Sequence, residues 1–136
     1  MTSSILRVRI GDSEVALPLD RVDEIVRMAA LEAVPGASGV IRGTLNLRGE
    51  IVIVVDVAPR LAQAAVAGDP SHYIVVARGA NGRYGILCND TLGVEEVGDA
   101  AARRELPGLS SVQEVVQLEG RVVPLLDPEA LIAGLA

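Results

Sequence analysis

Apolar residues along this chain recur mostly in short runs that alternate with polar ones, the mark of strands lying against a core. Ile5-Leu6-Arg7-Val8-Arg9-Ile10 partly alternates, and Gly11-Asp12-Ser13 turns the chain. Glu14 to Leu19 then resumes with the apolar run Val15-Ala16-Leu17, so the first predicted element is a β-hairpin. Pro18 places the end of its second strand at an edge or exit. From Asp20 to Leu31 two periods compete. Val22, Ile25, Val26 and Ala29 fall at helical spacing behind Asp20, a competent cap, whereas the β-branched side chains favour a strand.

The remaining pattern is simpler. Val34-Pro35-Gly36-Ala37-Ser38-Gly39 reads as loop. Gly43–Leu47 reads as a strand, Arg48-Gly49-Glu50 as a turn, and Ile51–Asp56 as a nearly continuous apolar strand. Ala58–Val66 has helical character and ends at Ala67-Gly68-Asp69-Pro70. Tyr73–Ala77 and Tyr84–Cys88 predict a second hairpin around Ala80-Asn81-Gly82. Gly93–Val97 is short and extended, and Asp99–Ser111 is a long connection. Val112–Leu118 and Val122–Leu126 form another hairpin around Glu119-Gly120, and Glu129–Leu135 predicts a closing helix.

These elements repeat. A constant shift sets Leu47 on Leu118, Gly49 on Gly120, Val52 on Val123 and Asp56 on Asp127. Earlier, Val15–Leu19 resembles Tyr84–Cys88, and Val22-Asp23-Glu24-Ile25 resembles Val94-Glu95-Glu96-Val97. The expected organisation is one domain of two pseudo-repeated halves, about 5–66 and 72–136, with strand exchange between them left open. Each half carries roughly five strands, enough for a small closed barrel without bare edges. A half alone buries little core, so the two barrels should pack together around a shared groove. The repeat also decides the competing periods. Val94–Val97 is too short and glycine-flanked for a helix, which predicts a turn at Asp20-Arg21 and a strand from about Asp23 to Met28.

Composition narrows the chemistry. Half of the 136 residues are hydrophobic, so a core can form, and Tyr73 and Tyr84 are the only aromatics. The formal net charge of −6 and the scatter of the cations argue against nucleic acid. Cys88 is alone and lies in an apolar run, where a thiol acts as a small hydrophobe. No signal-peptide pattern opens the chain, and the longest apolar run, Ile51–Val55, is far too short to cross a bilayer, which predicts a cytoplasmic protein without direct membrane insertion.

Catalytic groups are scarce. His72, the single histidine, reads as a loop residue, and with Cys88 it cannot build the usual zinc site. Ser110 and Ser111 lack a nucleophile elbow, and a chain without lysine has no phosphate loop of the Gly-Lys type. Asp56 and Asp127 hold matching places at strand ends, where a carboxylate accepts backbone N–H bonds; capping is the stronger reading over an acid–base dyad. Gly49 and Gly120 are turn residues. The chain should therefore be no enzyme and need no metal or cofactor. What remains is interaction chemistry. Arg48 sits at a hairpin tip where the repeat has Glu119, so the scaffold does not require it, and arginine is a favoured anchor of binding surfaces.

The stretch Ile41-Arg42-Gly43-Thr44-Leu45-Asn46-Leu47-Arg48-Gly49-Glu50-Ile51-Val52-Ile53-Val54-Val55-Asp56 resembles the signature of chemotaxis coupling proteins, the CheW-like family. Ala16-Leu17-Pro18-Leu19, Val22-Asp23-Glu24-Ile25 and Gly120-Arg121-Val122-Val123-Pro124-Leu125-Leu126-Asp127 extend the likeness over nearly the whole chain. It implies an all-β fold of two small five-stranded SH3-like barrels packed together, with short helices including one at the C-terminus. It implies a non-catalytic adaptor between a CheA-like histidine kinase regulatory domain and the cytoplasmic tip of methyl-accepting chemoreceptors. The receptor contacts would be Val22, Glu24, Gly43, Asn46 and Arg48, with Glu24 and Arg48 paired. Ile53 stands where the family often has proline, and Val57-Ala58 where it often has Leu-Arg. The rival readings are a CheW-like module of a non-flagellar chemosensory pathway and a small-molecule-binding β-barrel domain.

Overall fold

The computed structural model describes residues 2–36, 41–61, 66, 69–79, 82–98, 103–105, 112–118 and 120–126. Eleven strands follow in chain order: β1 (Thr2–Ile10), β2 (Ser13–Pro18), β3 (Val22–Arg27), β4 (Ile41–Leu47), β5 (Glu50–Val55), β6 (Tyr73–Gly79), β7 (Gly82–Cys88), β8 (Asp90–Gly98), β9 (Arg103–Glu105), β10 (Val112–Leu118) and β11 (Arg121–Leu126). Short 3-10 turns cover Leu19–Arg21 and Ala58–Leu61. The expected C-terminal helix lies outside the described residues.

Two sheets form, ordered β8-β1-β2-β11-β10-β9 and β3-β6-β7-β5-β4. They share one plan. An outer strand pairs with the first strand of a hairpin, and the hairpin's second strand runs parallel to the strand that closes the sheet. The parallel contacts are Ala16↔Leu125 in the first and Ile53↔Tyr84, Val54↔Gly85 and Val55↔Ile86 in the second. Each sheet curls toward closure. Past β3, Glu32 exchanges backbone bonds with Thr44 of β4 at 2.8 and 3.0 Å. Past β8, β9 pairs with β10.

Neither sheet is built from one end of the chain. Hairpin β1–β2 completes the sheet holding β8, β10 and β11, and hairpin β6–β7 completes the sheet holding β3, β4 and β5. This placement explains the continuous apolar runs. Val15-Ala16-Leu17, Ile74–Ala77 and Tyr84–Cys88 are buried at every residue because both strand faces are covered. In β2, Ala16 joins Ile5, Val116, Val123 and Leu125 in one core. Val15 and Leu17 point the other way, into the larger core with Ile74, Val76, Ile86 and Leu87. Strand β3, with one face to solvent, keeps the alternation of half-buried Val22, Glu24 and Val26 with exposed Asp23, Ile25 and Arg27.

Two details differ from expectation. β8 runs from Asp90 through Gly93, because a bulge at Arg7/Val8, with Gly93 at φ 127°, shifts the register without ending the pairing. β9 falls inside the expected connection; its residues Arg103, Arg104 and Glu105 show no apolar alternation to mark a strand. The first sheet therefore has six strands instead of five.

Candidate functional site

The turn Arg48-Gly49 joins β4 to β5 with only two residues between the paired Leu47 and Glu50. Such a turn matches strand twist when both central residues have positive φ, a geometry favouring Asn-Gly. Gly49 takes φ 87° at little cost, but Arg48 stands at φ 51°, the sole positive-φ residue other than glycine among the described residues. Asn46 steadies the turn, its Oδ1 accepting the Gly49 N–H at 2.9 Å.

Strand β3 brings Glu24 to this turn. The Arg48 guanidinium grips both carboxylate oxygens of Glu24, Nη1 to Oε1 at 3.2 Å and Nη2 to Oε2 more closely. The hydrogen bond from Arg48 holds the Glu24 carboxyl below its ordinary pKa, and the same bond raises that of Arg48. The Arg48 side chain remains 68% exposed while that of Glu24 is 25% exposed, so the cation is displayed and the carboxylate is its seat. Around them charges alternate. Arg83 of β7 donates to Glu50 through Nε at 3.2 Å and Nη2 at 2.5 Å, and its Nη1 lies 3.5 Å from Glu24 and 3.8 Å from Asp23. Arg78 of β6 reaches Asp23 at 2.7 Å. These exposed pairs are screened by water, so their role is to fix orientation.

Of the five receptor-contact candidates, Glu24, Asn46 and Arg48 meet at this turn. Val22 is half-buried and packs against the larger core. Gly43 is buried at a bulge in β4 with φ 148°, and a Cβ there would lie 2.5 Å from the Glu32 carbonyl oxygen. It acts by letting β4 approach the Leu31–Glu32 backbone, not by offering a surface. Sequence reasoning missed Ile51 and Ile53 as surface residues. They are 62% and 46% exposed and stand opposite Asn46 and Thr44. The run itself carried no signal for this: Val52, Val54 and Val55 are buried, and only the structure turns Ile51 and Ile53 outward.

The structural residues behave as a frame. Gly120, at φ 80°, lies between the paired Leu118 and Arg121, the same turn length as at Gly49. Buried Asp56 accepts the Ala58 N–H at 3.0 Å and the Val66 N–H at 2.8 Å, and takes Arg42 Nη1 at 3.0 Å. Arg42 also donates to the Val66 carbonyl at 2.7 Å. Asp127 lies outside the described residues. Among the described residues no cluster of His, Cys, Asp and Glu could hold a metal ion. A cleft of about 340 Å³ lined by Met28–Leu31, Arg42 and Pro70 offers Arg42 as the one charged group among its described residues, already engaged by Asp56. Among the described residues it lacks the convergent polar side chains a small-molecule site needs.

The CheW-like domain family matches residues 4–136. The chain belongs to that family. It is 27% identical to the probable chemotaxis protein CheW of Rhizobium etli over 135 residues, covering 95% of this chain and 86% of that protein. It is 28% identical to the protein FrzA of Myxococcus xanthus over 125 residues, covering 81% and 77%. The crystal structure of the scaffolding protein TtCheW from Thermoanaerobacter tengcongensis superposes with a TM-score of 0.87, covering 96% of this chain and 92% of that one at 18% identity. The fold of this CheW-like chain is thus the two SH3-like β-barrels of the family. No described helix is long and apolar enough to cross a membrane.

Proposed function

We propose that this CheW-like chain is a non-catalytic adaptor, working in the cytoplasm, that couples chemoreceptors to a chemotaxis-type histidine kinase. Its partners are the kinase's CheA-like regulatory domain and the cytoplasmic tip of methyl-accepting receptors. Val22, Glu24, Gly43, Asn46 and Arg48 serve the receptor contact: Arg48 as the displayed anchor, Glu24 and Asn46 as its supports, Val22 and Gly43 through the shape of the strands beneath. The observation that carries this reading is the backbone of Arg48. A non-glycine residue held at positive φ, clamped by Glu24 and two-thirds exposed, is an arrangement that folding alone does not call for. We further read the domain as two repeated halves, about 5–66 and 72–136, that have exchanged hairpins; the identical lengths and spacing of β4–β5 and β10–β11 support this.

The test is binding of receptor-tip fragments and of the kinase regulatory domain by calorimetry. Arg48→Asn keeps a residue suited to the turn while removing the cation. It should weaken receptor-tip binding by roughly tenfold or more, the loss expected of a buried anchor, with kinase-domain binding retained. Unchanged receptor binding by a folded Arg48→Asn protein would sink the assignment. A second reading, a module of a non-flagellar chemosensory pathway, is favoured by the likeness to FrzA. Pull-down from the host separates the two: recovery of a flagellar-type kinase supports the first, its absence beside another pathway's kinase the second.

A further inference from the structure

The two hairpins that cross between the sheets are close to interchangeable. Each closes over two residues, between Ile10 and Ser13 in one and Gly79 and Gly82 in the other. Each lays a small residue, Ala16 or Gly85, on the parallel strand that completes its sheet. Each buries an apolar face in the shared core, Leu6, Val8, Ile10, Val15 and Leu17 from one and Ile74, Val76, Ile86 and Leu87 from the other, so burial on that face does not distinguish them. The alternative assembly is also the more local one. Hairpin β1–β2 would fold onto β3 and β5 of its own half, and β6–β7 onto β8 and β11, closing shorter loops than the native exchange requires.

Charge separates the two assemblies. Glu14 is the second residue of β2 and Arg83 the second residue of β7. Arg121 opens β11 and Glu50 opens β5. In one sheet Glu14 binds Arg121 at 3.0 and 3.1 Å, and in the other Arg83 binds Glu50 at 3.2 and 2.5 Å. The same ion pair occupies the same place twice, with its signs reversed. We infer that this reversal directs each hairpin to the distant half of the chain. In the local assembly Glu14 would face Glu50 and Arg83 would face Arg121, so both attractions become repulsions.

Each pair, Arg83–Glu50 exposed and Glu14–Arg121 part-buried, shifts a population by only about a factor of two. Two attractions lost and two repulsions gained multiply to more than about tenfold, enough to choose between near-equal arrangements. Sterics act the same way. A methyl at Gly85 would stand 3.2 Å from Val54 Cγ2, so the β1–β2 hairpin, bearing Ala16 at that place, would crowd β5.

The experiment is refolding of the full chain from urea, with hairpin assignment read by NMR contacts between Ile5 and Glu95 (native) or between β1 and β3 (local). Glu14→Arg with Arg121→Glu removes the difference in sign between the two pairs. The quadruple variant adding Glu50→Arg and Arg83→Glu restores it. The double variant should misassemble on the order of tenfold more often than wild type, and the quadruple should return to wild-type behaviour. Arg7, which also binds Glu14 at 2.5 Å, and Asp23 are left facing reversed neighbours in the quadruple. A purely local stability effect therefore predicts that the quadruple is worse than the double, and that ranking would overturn the inference. Wild type needs no substitution for the second arm: about 1 M NaCl screens both pairs and should raise the misassembled fraction. A wild-type fraction unmoved by salt, with a double variant that assembles natively, would equally overturn it.

Discussion

At the scale of single residues, backbone geometry and burial dictate opposite outcomes at neighbouring positions of β4–β5. Arg48 holds a conformation that asparagine adopts more readily, so Arg48→Asn should raise Tm by about 1–3 °C in a thermal melt, despite losing the Glu24 bond. A fall of several degrees would show that the ion pair matters more to folding than the turn does. Gly43→Ala should act in the other direction. Its Cβ meets the Glu32 oxygen at 2.5 Å and Leu31 Cβ at 2.9 Å, both rooted in backbone that cannot swing aside. A destabilisation of about 2–4 kcal/mol is expected by urea denaturation, with amide protection lost first at Glu32 and Thr44. Cys88 illustrates burial alone. Desolvation pushes its thiol up to about 12, and its Sγ rests 3.7 Å from the Tyr73 carbonyl oxygen. With an aromatic disulfide at a concentration where labelling outruns reclosing, the reaction should therefore follow the rate of protein opening and stay flat between about pH 7 and 9, where a free thiol near 8.5 accelerates.

At the scale of elements, ion pairs tie strand to strand and make stability depend on acid. Hydrogen bonds from Arg121 to Glu14, from Arg48 to Glu24 and from Arg83 to Glu50 lower each carboxyl below its ordinary value. In the window between the lowered and the ordinary pKa, the unfolded chain binds protons that the folded chain refuses. The contribution is fully present above the ordinary value of about 4.3 and is lost as pH falls through the lowered ones. The urea midpoint should therefore drop on acidification below about pH 4.5, and Glu14→Gln with Glu24→Gln and Glu50→Gln should flatten the drop; equal slopes would place the acid sensitivity elsewhere. Most elements were legible because an alternating pattern and a turn signal agreed, as at Ile5–Ile10 and Arg48-Gly49. The strand at β3 was legible only through its likeness to Val94–Val97, since its apolar spacing alone fits a helix. Arg48 was legible from its place at a hairpin tip where the repeat has Glu119, but Glu24 and the pairing of the two came only through the family resemblance; no periodicity brings two residues on different strands together. Ile51 and Ile53 were passed over because an unbroken apolar run looks the same whether its second face is buried or bare.

At the scale of the molecule, the repeat was readable but the exchange was not, because the same apolar hairpin satisfies either barrel. The exchange has a consequence for cooperativity. The larger core takes Leu6, Val8, Ile10, Val15 and Leu17 from one sheet and Ile74, Val76, Ile86 and Leu87 from the other, so it belongs to neither sheet alone, and the first sheet keeps only a smaller core of its own around Ile5, Ala16, Val116, Val123 and Leu125. A fragment ending near residue 66 keeps β1–β2 but lacks β8 and β11; it also leaves β5 without its parallel partner β7. The complementary fragment from residue 69 is stripped in the same way. Each piece is about sixty-five residues long, too small to bury enough surface with open edges on both sides. Expressed singly, each should show little ordered sheet by circular dichroism. Mixed, the two should reconstitute the native spectrum and unfold in one transition, because hairpin β1–β2 finds β8 and β11 only on the other piece. A single fragment that folds into a stable barrel alone would mean that the local assembly forms even with Glu14 facing Glu50, and the charge reversal at Glu14, Arg121, Glu50 and Arg83 would then be too weak to exclude it.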